Sequence, residues 1–294
     1  MRQAINIGRE VVKQGDRGLQ PRGGRYTCRL IVWMPSVVWL LLIIGSATAS
    51  EMQRIQGELT IFTAASLTDA FQEMAARIEQ TNRGTRLTFN FAGSPTLRSQ
   101  LAHGARADVF ASADEPNMDG AAKDGTISGE PRIFARNLLV VIVPVNNPAG
   151  IKTLPDLTKP KIKLVLANKD VPAGNYARQA LEKMSQDPAF GLDFTRRVLA
   201  NLASEEMNVK QVAAKVQLGE ADAGIVYSTD VTPAMRSAVR VIDIPSEWNV
   251  IAKYPIAVVQ GTRNESGARV FIEYVLSPAG QAILQHYGFL VAGS

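Results

Sequence analysis

The chain reads TIFTAASLTDAF from residue 60 to residue 71, a β-strand pattern that ends in small residues and passes at once into a helix. Apolar residues then recur at helical spacing: Leu67, Ala70, Phe71, Met74 and Ile78. Ser66, with Asp69 three residues later, resembles a capping box. A strand that brings a hydroxyl and unpaired backbone N–H groups to one point can bind an anion. Taken alone, Ser66 is best explained as a helix cap.

The same arrangement recurs one strand later. Residues 87–91 alternate as a strand, and Ser94 and Pro95 then occupy the positions expected for the N-cap and N1 of the next helix. Strands that alternate with helices at this spacing predict βαβ units around a mainly parallel sheet. Because ligands of open parallel sheets bind outside the carboxyl ends of the strands, Ser66 and Ser94 should converge.

A second α/β unit follows a buried strand and a turn-rich segment. Residues 137–144 form an almost purely apolar run, as a buried strand requires, and a Pro/Asn/Gly-rich segment continues to Pro155. Further strands are predicted at residues 162–167, 223–227, 239–244 and 254–259. The predicted fold class is therefore α/β with two lobes, each a mainly parallel sheet flanked by helices. Lobe 1 comprises residues 50–139 and 252–294, and lobe 2 comprises residues 140–251.

The start of the chain is typical of a secretory signal peptide. A basic region up to residue 29 precedes an uncharged apolar run at residues 30–45, and Ala47 and Ala49 supply the small residues of a cleavage site. The apolar run is at the short limit of the roughly 17–25 residues that span a bilayer. We therefore predict a signal peptide at residues 1–49, cleavage after Ala49 and a periplasmic protein. The alternative is an uncleaved membrane anchor.

The leader also accounts for the basic character of the chain. The sequence has 32 Lys and Arg against 27 Asp and Glu. Seven of the basic and two of the acidic residues lie before residue 30, so 25 of each remain and the formal net charge of the rest is zero. The positive charge is no argument for binding nucleic acid. The single cysteine, Cys28, leaves with the leader, which excludes disulfides and thiol catalysis in the exported chain.

Signatures of catalysis are missing from the sequence. It contains no Gly-x-Ser-x-Gly elbow, no His-Glu-x-x-His zinc motif and no Gly-x-x-x-x-Gly-Lys phosphate loop. Of the two histidines, His103 ends a predicted helix and His286 lies in another, and general-base catalysis would require a positioned partner. We predict that the protein is not an enzyme.

Several features could instead bind an anion through neutral groups: Ser66, Ser94, the turn Val171-Pro172-Ala173-Gly174, the pair Asn208-Val209, and Tyr227. Each also has an ordinary structural explanation. Ala173 can simply begin a helix, Val209 can belong to the core, and Tyr227 can pack its ring while its hydroxyl finds any partner. Individually these explanations are the better ones.

A set of motifs, in one order along the chain, resembles the periplasmic molybdate-binding proteins of ABC importers. They are Ala64-Ala65-Ser66-Leu67, Phe91-Ala92-Gly93-Ser94-x-Thr96-Leu97, ADVFASAD at residues 107–114, Val171-Pro172-Ala173-Gly174-x-Tyr176-Ala177, Gly224-Ile225-Val226-Tyr227 and Tyr287-Gly288-Phe289. The resemblance covers nearly the whole chain after residue 57. It implies a type II periplasmic-binding fold that closes on molybdate or tungstate without a cofactor, the metal being held as its oxyanion and not by direct metal ligands.

The resemblance also implies a ligand site. Ser66 and Ser94 would donate hydroxyl and backbone hydrogen bonds from the first lobe. The backbone N–H groups of Ala173 and Val209 and the hydroxyl of Tyr227 would donate from the second. Ala65 is a less certain neighbour of the same pocket.

The chain departs from one family pattern next to Ser94, where Gly93 and Pro95 occupy positions that can be serines. Pro95 has no N–H, so it cannot supply a backbone donor.

The resemblance implies as partners a small oxyanion and an ABC importer permease with its ATPase; we expect no nucleic acid and a monomer. Two alternatives stay open. The same fold could bind another oxyanion such as sulfate, or a small organic acid, because fold does not fix the ligand. An exported hydrolase that uses Ser66 or Ser94 would need a base that the sequence does not offer.

Overall fold

The structure is a computed structural model that describes Ile55 and residues 57–291. The predicted signal peptide, its cleavage site and the alternative membrane anchor lie outside these residues. Among the helices that are described, none combines the length and the apolar character needed to cross a bilayer.

Strands and helices alternate through most of the described chain. The strands are β1 (Gly57–Ala64), β2 (Thr85–Ala92), β3 (Val109–Ala111), β4 (Ile127–Asn137), β5 (Leu139–Pro144), β6 (Leu164–Ala167), β7 (Leu202–Glu206), β8 (Ala223–Tyr227), β9 (Val239–Asp243), β10 (Ala252–Val259) and β11 (Leu290–Val291). The α-helices are α1 (Thr68–Thr81), α2 (Ser94–Ala102), α3 (Glu115–Lys123), α4 (Pro172–Gln186), α5 (Phe194–Leu199), α6 (Val209–Gln217), α7 (Glu265–Leu276) and α8 (Pro278–His286).

The strands form two sheets. The first has the order β11-β4-β10-β3-β1-β2, and the second has the order β7-β6-β8-β5-β9. The prediction of a two-sheet α/β fold is confirmed, but the sheets are mixed and not mainly parallel. β1 is parallel to β2 and β3, and β6 is parallel to β7 and β8, whereas the pairings that involve β4, β5, β9, β10 and β11 are antiparallel.

The antiparallel pairings follow from how the chain passes between the sheets. The part of the chain that first contributes to the first sheet ends with β4 at Asn137. The next strand, β5, begins at Leu139 in the second sheet, opposite Tyr227, the last residue of β8. A strand that enters a sheet at the edge where the parallel strands end must run in the opposite direction. The strand β10 returns to the first sheet in the same way, antiparallel to β3.

The apolar face predicted for the first helix is buried as expected. Its central residue, Phe71, is fully buried, and its ring centroid lies 5.8 Å from those of both Phe134 and Phe271. A fully buried side chain of this size contributes about 1.5–3 kcal/mol. Helix α1 is thus fixed against the first sheet through strand β4 and helix α7.

The predicted capping roles of Ser66 and Ser94 are wrong. A 3₁₀ turn, Ala65–Leu67, precedes α1, and neither Leu67 nor Gly93, which hold the N-cap positions of α1 and α2, makes a side-chain cap. Both serine hydroxyls are buried and bond to residues outside the helix that follows: Ser66 Oγ to Tyr254 of β10, and Ser94 Oγ to Ala113, which comes just after β3. Caps form where the sequence offers Asp or Asn: the side chains of Asp114 and Asn208 accept backbone N–H groups at the starts of α3 and α6.

A buried carboxylate holds the turn that follows β8. The backbone N–H of Tyr227 donates to Asp230 Oδ2 at 3.1 Å, and Asp230 is 1% exposed. Its other oxygen, Oδ1, lies 3.9 Å from Lys210 Nζ and accepts no hydrogen bond from the described residues. Burial raises the pKa of Asp230 to about 6, although Lys210 and the Tyr227 N–H favour the charged form.

We expect Asp230 to make the stability of the protein depend on pH. A carboxyl group whose pKa is higher in the folded than in the unfolded state stabilises the fold while it is protonated, and this contribution is lost as the pH rises through the folded pKa. From pH 4 to pH 7, the free energy of unfolding should therefore fall by about 2–3 kcal/mol more in the wild type than in Asp230→Asn. Urea unfolding of both proteins at several pH values measures this difference, and parallel profiles would contradict it.

Candidate functional site

A pocket lies between the two sheets, at the carboxyl ends of all six strands that pair in parallel. It encloses about 220 Å³ of space that no protein atom fills, part of it open to solvent. Its lining residues are Ala64, Ala65, Ser66, Ala92, Gly93, Ser94, Ala113, Val171, Pro172, Ala173, Asn208, Val209 and Tyr227. The structure thus brings together Ser66, Ser94, Ala173, Val209 and Tyr227, with Ala65 beside them.

The chemical character of the pocket is neutral. None of the lining residues is Lys, Arg, His, Asp or Glu. The starts of α2, α4 and α6 and the turn before α1 all contribute lining residues. The N–H groups in the first turn of a helix have no partner within the helix, and each helix start carries roughly half a positive charge. The starts of three α-helices and one 3₁₀ turn therefore place backbone N–H groups around the pocket.

The hydroxyl of Ser66 is positioned by residues far away in the sequence. Ser66 Oγ lies 3.0 Å from Tyr254 Oη, which also receives a hydrogen bond of 3.3 Å from Asn137 Nδ2. Because Tyr254 Oη accepts from Asn137, its own proton can be given to Ser66 Oγ. The proton of Ser66 is then free to point into the pocket.

The hydroxyl of Ser94 is arranged in the same manner. Its Oγ accepts a hydrogen bond of 3.0 Å from the backbone N–H of Ala113, another lining residue, and Ser94 is 1% exposed. The acceptor side of the hydroxyl is thus occupied by the protein, while its proton remains available.

The third hydroxyl of the pocket belongs to Tyr227, whose ring centroid lies 5.8 Å from that of Tyr254. Tyr227 is 1% exposed, and its Oη makes no hydrogen bond of ordinary length within the described part of the chain, although it is close enough to the Tyr254 hydroxyl to offset part of the rise that burial causes in the pKa of Tyr254. Burial, with a smaller effect of the nearby Tyr254, raises the pKa of Tyr227 well above its usual value. The group therefore stays protonated and is a donor. A buried hydroxyl without a partner is costly, by about 1–3 kcal/mol, and such groups call for an explanation.

The two sides of the pocket touch at Gly93. A Cβ atom added to Gly93 would lie 2.4 Å from the carbonyl oxygen of Met207, which precedes α6 on the opposite side. Its backbone conformation, φ −64° and ψ 140°, is one that any residue adopts. Glycine is therefore required here for the close approach of the two segments and not for the backbone angles. In the sequence, Gly93 falls within a family motif, at a position that can be serine, and nothing there predicted this close contact.

Two other classes of site receive no support from the geometry. Among the described residues, no three His, Cys, Asp or Glu side chains gather where they could hold a metal ion. His103 and His286 lie outside the pocket lining, and His103 Nδ1 is 2.7 Å from the carbonyl oxygen of Ser99, one turn earlier in its own helix.

Sequence reasoning missed Tyr254 and Asn137, which position the hydroxyl of Ser66. Tyr254 is 188 residues from Ser66 and Asn137 is 117 residues from Tyr254, and both are fully buried. The only signal available was a polar residue, Asn137, at the border of an apolar run, since a buried amide needs hydrogen-bond partners.

Comparison with known families agrees with this architecture. The family model described as bacterial extracellular solute-binding protein matches residues 59–290. The molybdate-binding protein ModA of Mycobacterium tuberculosis is 37% identical over 247 residues, which are 83% of this chain and 90% of the relative.

Two solved structures share the fold. The periplasmic molybdate-binding protein of Azotobacter vinelandii has a TM-score of 0.68 at 19% identity and covers 79% of this chain and 99% of its own. The sulfate-binding protein SubI of Mycobacterium tuberculosis has a TM-score of 0.72 at 17% identity and covers 81% of this chain and 88% of its own. At these identities the likeness shows the fold alone.

The family match spans most of the chain, and the relative at 37% identity covers more than two thirds of it. Both are solute-binding proteins and not enzymes, which confirms the prediction drawn from the missing catalytic motifs. The chain belongs to the bacterial extracellular solute-binding proteins, in one family with the molybdate-binding protein to which it is similar.

Proposed function

We propose that this protein captures molybdate, or the nearly identical tungstate, in the pocket between its two lobes. The observation that carries the proposal is a neutral pocket lined by three buried hydroxyls, each of which can donate a hydrogen bond to a ligand. The family relationship to a molybdate-binding protein supports the same ligand. Ser66, Ser94 and Tyr227 donate hydroxyl hydrogen bonds, and the backbone N–H groups of Ala173 and Val209 add donors from the starts of α4 and α6.

A pocket of this kind can hold a dianion without a matching cation. Each hydrogen bond from the pocket to a charged oxygen is worth about 1.5–3 kcal/mol. The partial charges of several helix starts add to this, because they are fixed in place and need no reorganisation when the anion enters.

The lack of a carboxylate or imidazole side chain in the lining supplies selectivity. Monohydrogen phosphate carries a proton that needs an acceptor, and burying it unpaired costs about 1–3 kcal/mol. Sulfate carries no such proton at neutral pH, so the pocket must distinguish it from molybdate by size. Sulfate is the alternative oxyanion against which molybdate must be tested.

The lobes follow the two sheets in this proposal. Residues 50–139 and 252–294 form lobe 1, and residues 140–251 form lobe 2, so the chain crosses between them near Asn137 and again before β10. Closure over the anion removes it from water and creates a surface for an importer permease with its ATPase. The protein acts as a periplasmic monomer after cleavage of its signal peptide behind Ala49.

Ligand-dependent stabilisation tests the proposed ligand directly. For the protein without its leader (residues 50–294), molybdate or tungstate at a hundred times its dissociation constant should add about 2.7 kcal/mol to the free energy of unfolding. Thermal unfolding with each anion at fixed ionic strength measures this, with Trp248, the one tryptophan after the leader, as a fluorescence probe. If sulfate alone stabilises the protein, the ligand is sulfate and not molybdate. If no oxyanion stabilises it, the proposal is refuted.

Tyr227→Phe should weaken ligand binding without lowering the stability of the ligand-free protein. It removes a hydroxyl that makes no hydrogen bond of ordinary length among the described residues, so the free energy of unfolding without ligand should stay equal or rise, as is common where a site contains unpaired groups. Affinity for molybdate should fall at least about tenfold, because one hydrogen bond to a charged group is lost. Ser66→Ala should also weaken binding, but it removes one of the two hydrogen-bond partners of Tyr254 Oη and should lower stability too.

Isothermal titration and urea unfolding of the two variants measure these effects. Tyr274→Phe, which removes a hydroxyl outside the pocket lining, is the matched control and should bind as the wild type does. If the combined variant Ser66→Ala/Tyr227→Phe keeps its oxyanion affinity, the assignment of the site is wrong.

Gly93→Ala should prevent full closure of the pocket. The added methyl group would lie 2.4 Å from the Met207 carbonyl, and overpacked contacts cost about 1–3 kcal/mol. We expect about tenfold weaker binding or more, with little change in the unfolding of the ligand-free protein, in which the lobes can separate. Calorimetric titration checks the first expectation and thermal unfolding the second; wild-type affinity in this variant would show that the contact is not needed.

A further inference from the structure

A charged cluster bridges the two sheets next to the pocket. Lys210 Nζ lies 2.7 Å from Asp69 Oδ2 and 3.9 Å from Asp230 Oδ1. Asp69 is in the first turn of α1, which packs on the first sheet, whereas Lys210 is in the first turn of α6, which packs on the second. The ion pair between Lys210 and Asp69 therefore joins the two sides of the cleft.

Each member of the cluster is tied to a residue that lines the pocket. Lys210 follows Val209, Asp69 is three residues beyond Ser66, and Asp230 holds the backbone N–H of Tyr227. Lys210 itself does not line the pocket, and its side chain is 28% exposed. Its charge is directed to the two carboxylates and not to the space where an anion would bind.

We propose that Lys210 is a positioning residue that holds the two lobes closed over the anion, by pairing with Asp69 across the cleft while anchored beside Asp230. This inference rests on the proposed function. The pair can form only when α1 and α6 are side by side, which is the arrangement that also places the Val209 N–H and the Ser66 hydroxyl at one pocket. Opening the lobes would separate Asp69 from Lys210.

Asp230 gives Lys210 a partner when the lobes are apart. Asp230 Oδ1 is buried and accepts no hydrogen bond from the described residues, so the ammonium group can move toward it without displacing another donor. Lys210 lies in α6, which packs on the second sheet, and Asp230 lies in the turn directly after β8 of that sheet, whereas Asp69 lies in α1, which packs on the first. The exchange of one carboxylate for the other would keep the charge of Lys210 compensated in both arrangements.

The alternative explanation is that Lys210 attracts the anion by its charge alone. The two explanations predict opposite changes in anion affinity when Asp69 is replaced. If only charge matters, Asp69→Asn removes a negative charge close to the site and should strengthen anion binding. If the pair holds the lobes together, the same variant should weaken binding by about two- to fivefold, as expected for a partly exposed ion pair.

Titration of the purified protein with molybdate at low and fixed ionic strength decides between them. Four proteins form a double-mutant cycle: wild type, Asp69→Asn, Lys210→Met and the double variant. The expected result is weaker binding in both single variants and no further loss from Asp69→Asn once Lys210 is methionine. Unchanged or tighter binding in Asp69→Asn would overturn the inference.

Glu273→Gln is the matched control, because it breaks an ion pair that does not cross the cleft. Glu273 is in α7 and its partner Arg132 is in β4, so both lie on the side of the first sheet. It should bind as the wild type does. Asp69 is 38% exposed, so its replacement should not threaten folding. Failure of the wild type to bind molybdate would remove the proposed function itself, whereas a binding wild type with an unaffected Asp69→Asn variant would remove this inference alone.

Discussion

The pocket depends on one constraint: a protein donor must occupy the oxygen of each serine hydroxyl that faces it, so that the hydroxyl proton is left for a ligand. The Ala113 N–H occupies Ser94 Oγ, and Tyr254 Oη lies against Ser66 Oγ with Asn137 behind it. Hydroxyls donate and accept with equal ease, so only these buried neighbours make the lining a set of donors.

The sheet topology brings those neighbours to the site. Asn137 ends the strand that leaves the first sheet, Tyr254 lies near the start of the strand that returns, and Thr229, which accepts from Asn137 Nδ2 at 2.8 Å, follows β8 in the second. The residues that orient Ser66 are thus also those at which the chain crosses between sheets. A relative movement of the proposed lobes would therefore change the orientation of the Ser66 hydroxyl, which donates to the ligand.

Local patterns predicted most elements, because helix starts and strand ends are encoded within a few positions, and the family resemblance indicated the residues that meet at the pocket. Partners distant in sequence could not be found in this way. Ser66 and Ser94 looked like caps because serine commonly caps helices, and β4, with exposed charged residues such as Glu130 and Arg132, does not read as a strand. Tertiary hydrogen bonds and sheet pairing decided these cases.

The separation of charge from the pocket explains how a neutral lining and an ionic cluster serve one site. A lysine inside the pocket would attract any anion and accommodate many, since a flexible ammonium imposes little geometry. Fixed hydroxyl and backbone donors impose both direction and distance. With Lys210 committed to Asp69 and Asp230, charge contributes to the approach of the two sides, and recognition is left to groups that cannot adjust to a wrong ligand.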